Sequence, residues 1–296
     1  MNSKYFLIFF CVLATLFACQ NIKEEDRTIL FDDNWLFHYG DIVDGQSLAT
    51  NDTDWRPLDL PHDWAIEDIP GTTSPFDSTV VDGVASGFTR GGIAWYRKHF
   101  DLPKTDEGKR IYLRFDGVYM NSDIWINEHH VGNYFFGYSS FEYDITDYLK
   151  FGANNVIAVQ VKSETVTSRW YSGAGIYRHV WLTKTDPLHI VNNGTAITTP
   201  EVSAENAKVS VASTLLNKDQ KEISSTIKLK VLDKTGKIVA ETQKDQKIEI
   251  ESKTVINQDL KVSNPRLWSV DSPYLYTLVS EIWDGNRLLD CTKETF

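Results

Sequence analysis

The sequence predicts an all-β protein built of two successive sandwiches. Three observations carry that expectation. Apolar and polar residues alternate over short stretches such as "RIYLRFD" at 110–116, the period of a half-buried strand. Turn signals separate such stretches at roughly ten-residue intervals, which favours sandwiches or jelly rolls. No segment offers a long apolar face at helical period, which argues against helical bundles and α/β folds.

Bulk composition fits that class. A chain of 296 residues is long enough for two domains, each with its own core. Nine Trp, thirteen Tyr and fifteen Phe supply bulky material for those interiors, and a 42% hydrophobic content argues against disorder. The net charge of −11 argues against a nucleic-acid partner, which would want a basic face.

Residues 1–18 read as a signal peptide: Lys4 precedes an apolar run that closes on Leu16-Phe17-Ala18-Cys19. That ending resembles the lipobox of bacterial lipoproteins, which implies lipidation at Cys19 and a membrane contact through the lipid anchor. Ordinary secretion with cleavage nearby is the alternative. Residues 19–27 then form a polar, acidic tether containing Glu24, Glu25 and Asp26. The expected location is the bacterial cell envelope, periplasmic or anchored to the outer membrane. Cys291 remains as one thiol of the mature fold, so the apolar core is expected to hold the structure without a disulfide. No metal or other cofactor is expected: His129 and His130 are adjacent, and on a strand they point to opposite faces.

The first domain is expected over 28–186. Its strands include 110–116, "SDIWINEHHVG" at 122–132, and "NVIAVQVKS" at 155–163, where Val156, Ala158 and Val161 mix with polar partners. Turn signals fall at Asn127-Glu128, Gly132-Asn133 and Gly152-Ala153-Asn154. The stretch 144–152 predicts one helical turn capped by Thr146 and ended by Gly152. Character changes near Asp186-Pro187. Beyond it come shorter Lys- and Thr-rich alternating strands, with hairpin signals at Asp233–Gly236 and Asp284-Gly285. Residues 187–296 therefore predict an immunoglobulin-like β-sandwich lacking the cysteine pair of antibody domains.

Four motifs in order carry a family resemblance: "LPHDW" (60–64), "GGIAWYRKHF" (91–100), residues 114–149, and "SRWYSGAGIYRHVWL" (168–182). Together they resemble glycoside hydrolase family 2, with "NPRLWSVDSPYLYTL" (264–278) in its immunoglobulin-like domain. The subtype looks most like the β-galactosidase branch. The resemblance implies a galactose-binding-like jelly roll over 28–186 and a β-galactoside-like carbohydrate as partner. It also implies a (β/α)8 barrel following the second domain and carrying two catalytic glutamates. Retaining glycosidases need two carboxyl groups about 5–5.5 Å apart, and a barrel takes at least about 200 residues. This sequence leaves no room for one after residue 296, so hydrolysis by these two domains alone is not expected. Within them, Glu24/Glu25, Asp32/Asp33 and Glu142/Asp144 are the closest acidic pairs. Glu142 and Asp144 share a strand face and read as a solvated surface pair.

By resemblance, Asp63 and Arg169 occupy positions that contact sugar hydroxyls. A carboxylate accepts hydroxyl hydrogen bonds, and a guanidinium donates several in a fixed fork. Such charge-assisted bonds contribute roughly 1.5–3 kcal/mol each. Replacing either residue by alanine is therefore expected to lower kcat/KM at least about tenfold without affecting folding. The competing reading makes Asp63 a turn cap after Pro61 and pairs Arg169 with a neighbouring acid. Trp170 is a candidate for stacking on a sugar ring, as are Tyr171, His62 and Trp64, with core packing as the alternative for each. Gly173 and Gly175 read as tight turns. Tyr177, Val180 and Leu182 read as one strand face entering the core, and Arg178 as the anchor of Asp116 or Asp123. A second function remains open: a stand-alone carbohydrate-binding surface lipoprotein, for which 75–89 and 133–141 offer aromatic loops.

Overall fold

The computed structural model describes residues 27–164 and 172–296. The signal peptide, Cys19 and nearly all of the tether lie outside the described residues, as do Arg169, Trp170 and Tyr171. The first domain contains β1 (Thr28–Leu30), β2 (Trp35–Tyr39), β3 (Arg56–Leu58), β4 (Gly92–Asp101) and β5 (Arg110–Phe115). These are followed by β6 (Ser122–Ile126), β7 (His129–Tyr134), β8 (Phe141–Asp144), β9 (Asn154–Ser163) and β10 (Val180–Thr185).

They form two antiparallel sheets packed face to face, in the orders β3-β2-β4-β9-β6-β7 and β1-β10-β5-β8. The core between them is aromatic and aliphatic, with Trp35, Tyr96, Leu113, Phe115, Ile124, Val159 and Leu182 buried. The alternation of 110–116 holds in β5, where Ile111, Leu113 and Phe115 point inward. Strand β9 departs from it: Asn155 through Val159 are all buried. The reason is its central place in the larger sheet. A second, smaller apolar cluster of Trp55, Trp95 and Ala158, joined by Trp125, covers that sheet's outer face. Arg97, 1% exposed, ties the covering loop down through Asp52 at 2.7 Å and the carbonyl oxygens of Gly45 and Ser47.

Asn127 and Glu128 both have positive φ, 48° and 73°, and turn β6 into β7 as a two-residue hairpin loop. Thr146 does not cap the turn at 144–152. Its own amide bonds Asp144 Oδ1, and its hydroxyl bonds the same oxygen while accepting from the Ile111 amide. The short turn Thr146–Tyr148 is therefore held by a side chain two residues upstream and by β5.

The second domain contains β11 (Leu188–Val202), β12 (Asn206–Asn217), β13 (Ile223–Leu232), β14 (Ile238–Ile248), β15 (Lys253–Ser263), β16 (Thr277–Asp284) and β17 (Arg287–Thr295). Sheets β11-β12-β15 and β14-β13-β16-β17 enclose a separate aliphatic core that includes Leu215, Ile227, Leu229, Ile256 and Ile282. This is the layer arrangement of an immunoglobulin-like sandwich. Polar contacts join the two domains. Arg27 approaches Asp290 at 2.8 Å and bonds the carbonyl oxygen of Ile190. Arg114 donates to Asn192 at 2.9 Å, and Asp186 receives Lys109 at 2.9 Å and Arg287 at 3.4 Å.

Candidate functional site

Two of the sequence motifs meet at one end of the first domain. Asp63, extended at φ −135° and ψ 107°, caps a single 3-10 turn over Trp64–Ile66. Its Oδ1 accepts from the Ala65 amide at 2.9 Å and from the Ala174 amide at 3.0 Å, across 111 positions of chain. Backbone bonds reinforce the junction: His62 N–H donates to Ile176 O at 2.8 Å, and Trp64 N–H to Ala174 O at 3.1 Å. On its other side Gly175 exchanges two backbone bonds with Tyr119, at 2.8 and 2.9 Å.

Glycine is required at the centre of that junction. Gly175 has φ +126°, and a Cβ there would lie 2.5 Å from Tyr96 Oη and 2.6 Å from His62 O. Both the conformation and the space exclude a side chain.

Around the junction runs a hydrogen-bonded series that the sequence did not reveal. His62 Nδ1 lies 2.7 Å from Tyr96 Oη, and Nε2 lies 3.0 Å from Glu67 Oε1. Arg56, on β3, pairs with both Glu67 oxygens at 2.8 Å and approaches His62 Nε2 at 2.9 Å. Burial and the positive charge of Arg56 push the His62 imidazole below its usual pKa, against the opposing pull of Glu67 and Asp63. Burial likewise holds the Tyr96 phenol well above its usual range. The Phe37 ring packs edge-on to His62, with centroids 4.6 Å apart. The His62 side chain is only 9% exposed and is flanked by rings, so it cannot also stack on a sugar. Trp64, at 1% exposure, is core.

Other sequence expectations need correction. Asp63 caps its turn, so alanine there would disturb folding as well as any ligand contact. Tyr177 does not continue the inward face of Val180 and Leu182: its hydroxyl donates to Gly137 O at 2.7 Å. Arg178 is exposed, and the two acids assigned to it are engaged elsewhere. Asp116 accepts from Trp181 Nε1 at 2.7 Å and lies 3.3 Å from Arg114, while Asp123 pairs with Lys162 at 2.7 Å and His130 at 2.9 Å. Glu142 and Asp144 are not a solvated pair. Glu142 is half-buried with its pKa raised by desolvation, and Asp144 is ion-paired to Arg110. The carboxylate of Glu128 accepts from Ser47 and the Leu48 amide, tethering the covering loop.

Beside the junction, loop 133–141 carries Phe135, Phe136 and Tyr138, exposed by 65%, 57% and 53%. Tyr138 packs edge-on to Tyr119, the residue that bridges to Gly175. Among the described residues no group of three or more His, Cys, Asp or Glu could hold a metal ion. An apolar groove of about 490 Å³ lies away from the junction, on the second domain, between Ile197, Val202, Trp268, Tyr276 and Phe296.

Residues 32–186 match the sugar binding domain of the Glycosyl hydrolases family 2, and residues 189–296 match a second domain of the same family. The chain is 43% identical over 261 residues to the β-galactosidase BoGH2A of Bacteroides ovatus, covering 88% of the chain and 30% of that protein. It is 35% identical to a putative β-glucuronidase of Formosa agariphila, covering 98% of the chain and 26% of that protein. A crystal structure of a family 2 glycosyl hydrolase from Bacteroides cellulosilyticus superposes with a TM-score of 0.88 at 45% identity. That superposition covers 91% of this chain and 35% of the other. The chain thus spans between 25% and 40% of the length of the proteins it resembles. With matches on both sandwiches, this chain belongs to the Glycosyl hydrolases family 2.

Proposed function

We propose that the chain is the front, non-catalytic part of a retaining β-galactosidase-like enzyme that hydrolyses O-glycosyl bonds. In this reading the first domain reaches a sugar subsite with Asp63 and Arg169, with Trp170 beside them. Two glutamates of a (β/α)8 barrel outside this sequence perform the displacement. The observation that carries the reading is the junction itself: Asp63 is fixed by Ala65 and Ala174 at the meeting point of two family motifs. The 43% identity to a named β-galactosidase supports the galactoside assignment, whereas the matches to named β-glucuronidases point to a uronic acid as the competing sugar. A carboxylate at the subsite suits neutral hydroxyls, which donate to it, better than a substrate carboxylate, which it would repel.

The test is hydrolysis of p-nitrophenyl β-galactoside and β-glucuronide by the complete gene product and by residues 27–296 alone. Galactoside turnover by the complete product, and none by 27–296, is the expected result. Turnover of glucuronide only, or of neither substrate, would overturn the assignment. Cys19 is proposed as the lipid attachment point that places the protein in the cell envelope. Cys19→Ser should abolish labelling by radioactive palmitate and release the protein from membranes.

One observation favours a second reading, a stand-alone carbohydrate-binding surface lipoprotein: three exposed aromatic rings share loop 133–141. Galactoside affinity of residues 27–296 measurable at millimolar sugar would support it, and absence of binding would remove it.

A further inference from the structure

We propose that the apolar groove of the second domain is the docking seat of the catalytic barrel, with Trp268 as its anchor. The inference rests on the barrel of the reading above and adds the surface that receives it. The groove, about 490 Å³, is floored by Val209 on β12 and Val262 on β15, both buried in the second core. Its walls are Ile197 and Val202 on β11, the segment 265–276, and Phe296. That segment lies in the stretch "NPRLWSVDSPYLYTL" (264–278), which no part of the sugar subsite uses.

A loose loop would fold its apolar side chains back onto the protein. This one is held open. Ser269 and Ser272 exchange two backbone bonds at 3.1 Å, and the Arg266 amide donates to Tyr276 Oη at 2.8 Å. The Arg266 guanidinium lies over the Tyr274 ring, 4.7 Å from its centroid. Held in this way, the segment presents Trp268, 59% exposed, with Leu267 and Leu275 about half exposed, opposite a half-exposed Val202. Contiguous apolar surface on a fixed frame marks an interaction site. Tryptophan is among the residues that most often anchor one.

The lining selects against a sugar or another small polar ligand. Such ligands need convergent polar groups to fix their orientation. Here Arg266 is committed to Tyr274 and Ser272, and the Thr198 hydroxyl to Ser210 O. An apolar protein surface is the better match. Position then selects which surface. Phe296 and Tyr276 exchange two backbone bonds at 3.0 Å, and their rings pack with centroids 6.1 Å apart. A barrel that follows Phe296 therefore starts inside the groove and is covalently joined to it. Its effective concentration there exceeds that of any separate chain, so it takes the groove ahead of a second copy. The Arg27–Asp290 and Lys109–Asp186 pairs tie the two sandwiches together. A barrel seated on the second domain is thereby also held relative to Asp63 on the first.

Hydroxyl-radical footprinting of the complete gene product and of this chain tests the seat without requiring activity. Oxidation of Trp268 follows its exposed area, so the complete product should react about fivefold or more slowly than this chain. Equal rates would overturn the proposal. So would protection of Trp268 in this chain by millimolar galactoside, or by self-association seen in sedimentation, because either names another occupant. Photo-crosslinking from benzoylphenylalanine in place of Leu275 should capture peptides of the barrel in the complete product. Capture of a different domain or of a second copy alone would contradict the assignment. Trp268→Glu should leave the melting of this chain within about two degrees of wild type. In the complete product it should lower the first transition by roughly five degrees or more, because a charge is then buried without a partner. A small and equal effect in both would remove Trp268 as the anchor. Should the glutamate variant fail to fold, the footprint of the unsubstituted protein decides. The two readings fail separately. Galactoside turnover with Trp268 unprotected sinks the seat and leaves the subsite reading standing, whereas protection without turnover does the reverse.

Discussion

Asp63 and Ala174, 111 positions apart, are joined by a 3.0 Å hydrogen bond from the Ala174 amide to the carboxylate oxygen that also caps the Trp64 turn. One side chain therefore serves a local turn and a long-range junction at once. Asparagine keeps an acceptor oxygen and removes only the charge. Asp63→Asn should leave the melting temperature within a few degrees of wild type while lowering kcat/KM of the complete enzyme about tenfold or more. Asp63→Ala should lose the same activity and in addition about 1 kcal/mol of stability. Equal stability of the two variants in a denaturant titration would contradict the capping role.

Gly175 has no room for a methyl group. Both walls that a Cβ would strike, Tyr96 Oη and His62 O, belong to the same network, and φ is +126°. Gly175→Ala should cost more than about 3 kcal/mol. Insoluble expression or a melting transition lowered by ten degrees or more is the expected outcome, and a soluble protein with unchanged melting would refute the geometry.

Arg27 and Asp290 link the start of the first domain to the last strand of the second. The Asp290 carboxyl is buried, and burial raises its pKa while Arg27 pulls it down. Arg27→Ala should therefore cost about 3 kcal/mol at neutral pH by leaving a buried carboxylate unpaired. The sign follows from the raised pKa. Asp290 is protonated at low pH in both folded forms, so the difference between variant and wild type nearly vanishes there. It opens as pH rises past the wild-type folded pKa and is complete once the variant's still higher folded pKa is passed. Chemical denaturation at several pH values reads this directly, and a gap that is widest at low pH would exclude the explanation.

His189 sits 2% exposed beside Asp186 at the domain boundary, with Nδ1 directed at the carbonyl oxygens of Asp186 and Pro187. Burial and the charge of Arg27 push its pKa from 6.5 to about 4. A folded-state pKa below the unfolded one means stability is complete above pH 6.5 and falls as pH drops toward 4. A displacement of that size corresponds to at most roughly 3 kcal/mol. His189→Gln should flatten that part of the stability profile, and an equally steep profile in the variant would assign the acid sensitivity to another group.

Local patterns proved readable where one face of a strand is buried and the other is wet. Ile111, Leu113 and Phe115 follow the period of two, and Asn127-Glu128 makes the hairpin turn its composition announces. Legibility failed where a third layer intervened. Asn155 through Val159 are buried on both faces because the Trp55, Trp95 and Trp125 cluster covers the sheet, and neighbouring positions in the sequence carry no sign of that cover. The same holds for Thr146, whose hydroxyl reaches Ile111 on another strand.

The class of fold, the change of character at Asp186-Pro187, and the motifs that mark the Glycosyl hydrolases family 2 are all legible along the chain. These properties reside in short-range periodicity, turn chemistry and residue order, all of which survive being read along one dimension. Folding in three dimensions is what sets Ala174 against Asp63 and puts His62 between Tyr96 and Glu67. It also decided that Arg178 leaves Asp116 and Asp123 to other partners. Each is a contact between segments far apart in the chain, where the choice among several chemically equivalent partners depends on strand register and burial. Spacing in the sequence does not encode those quantities.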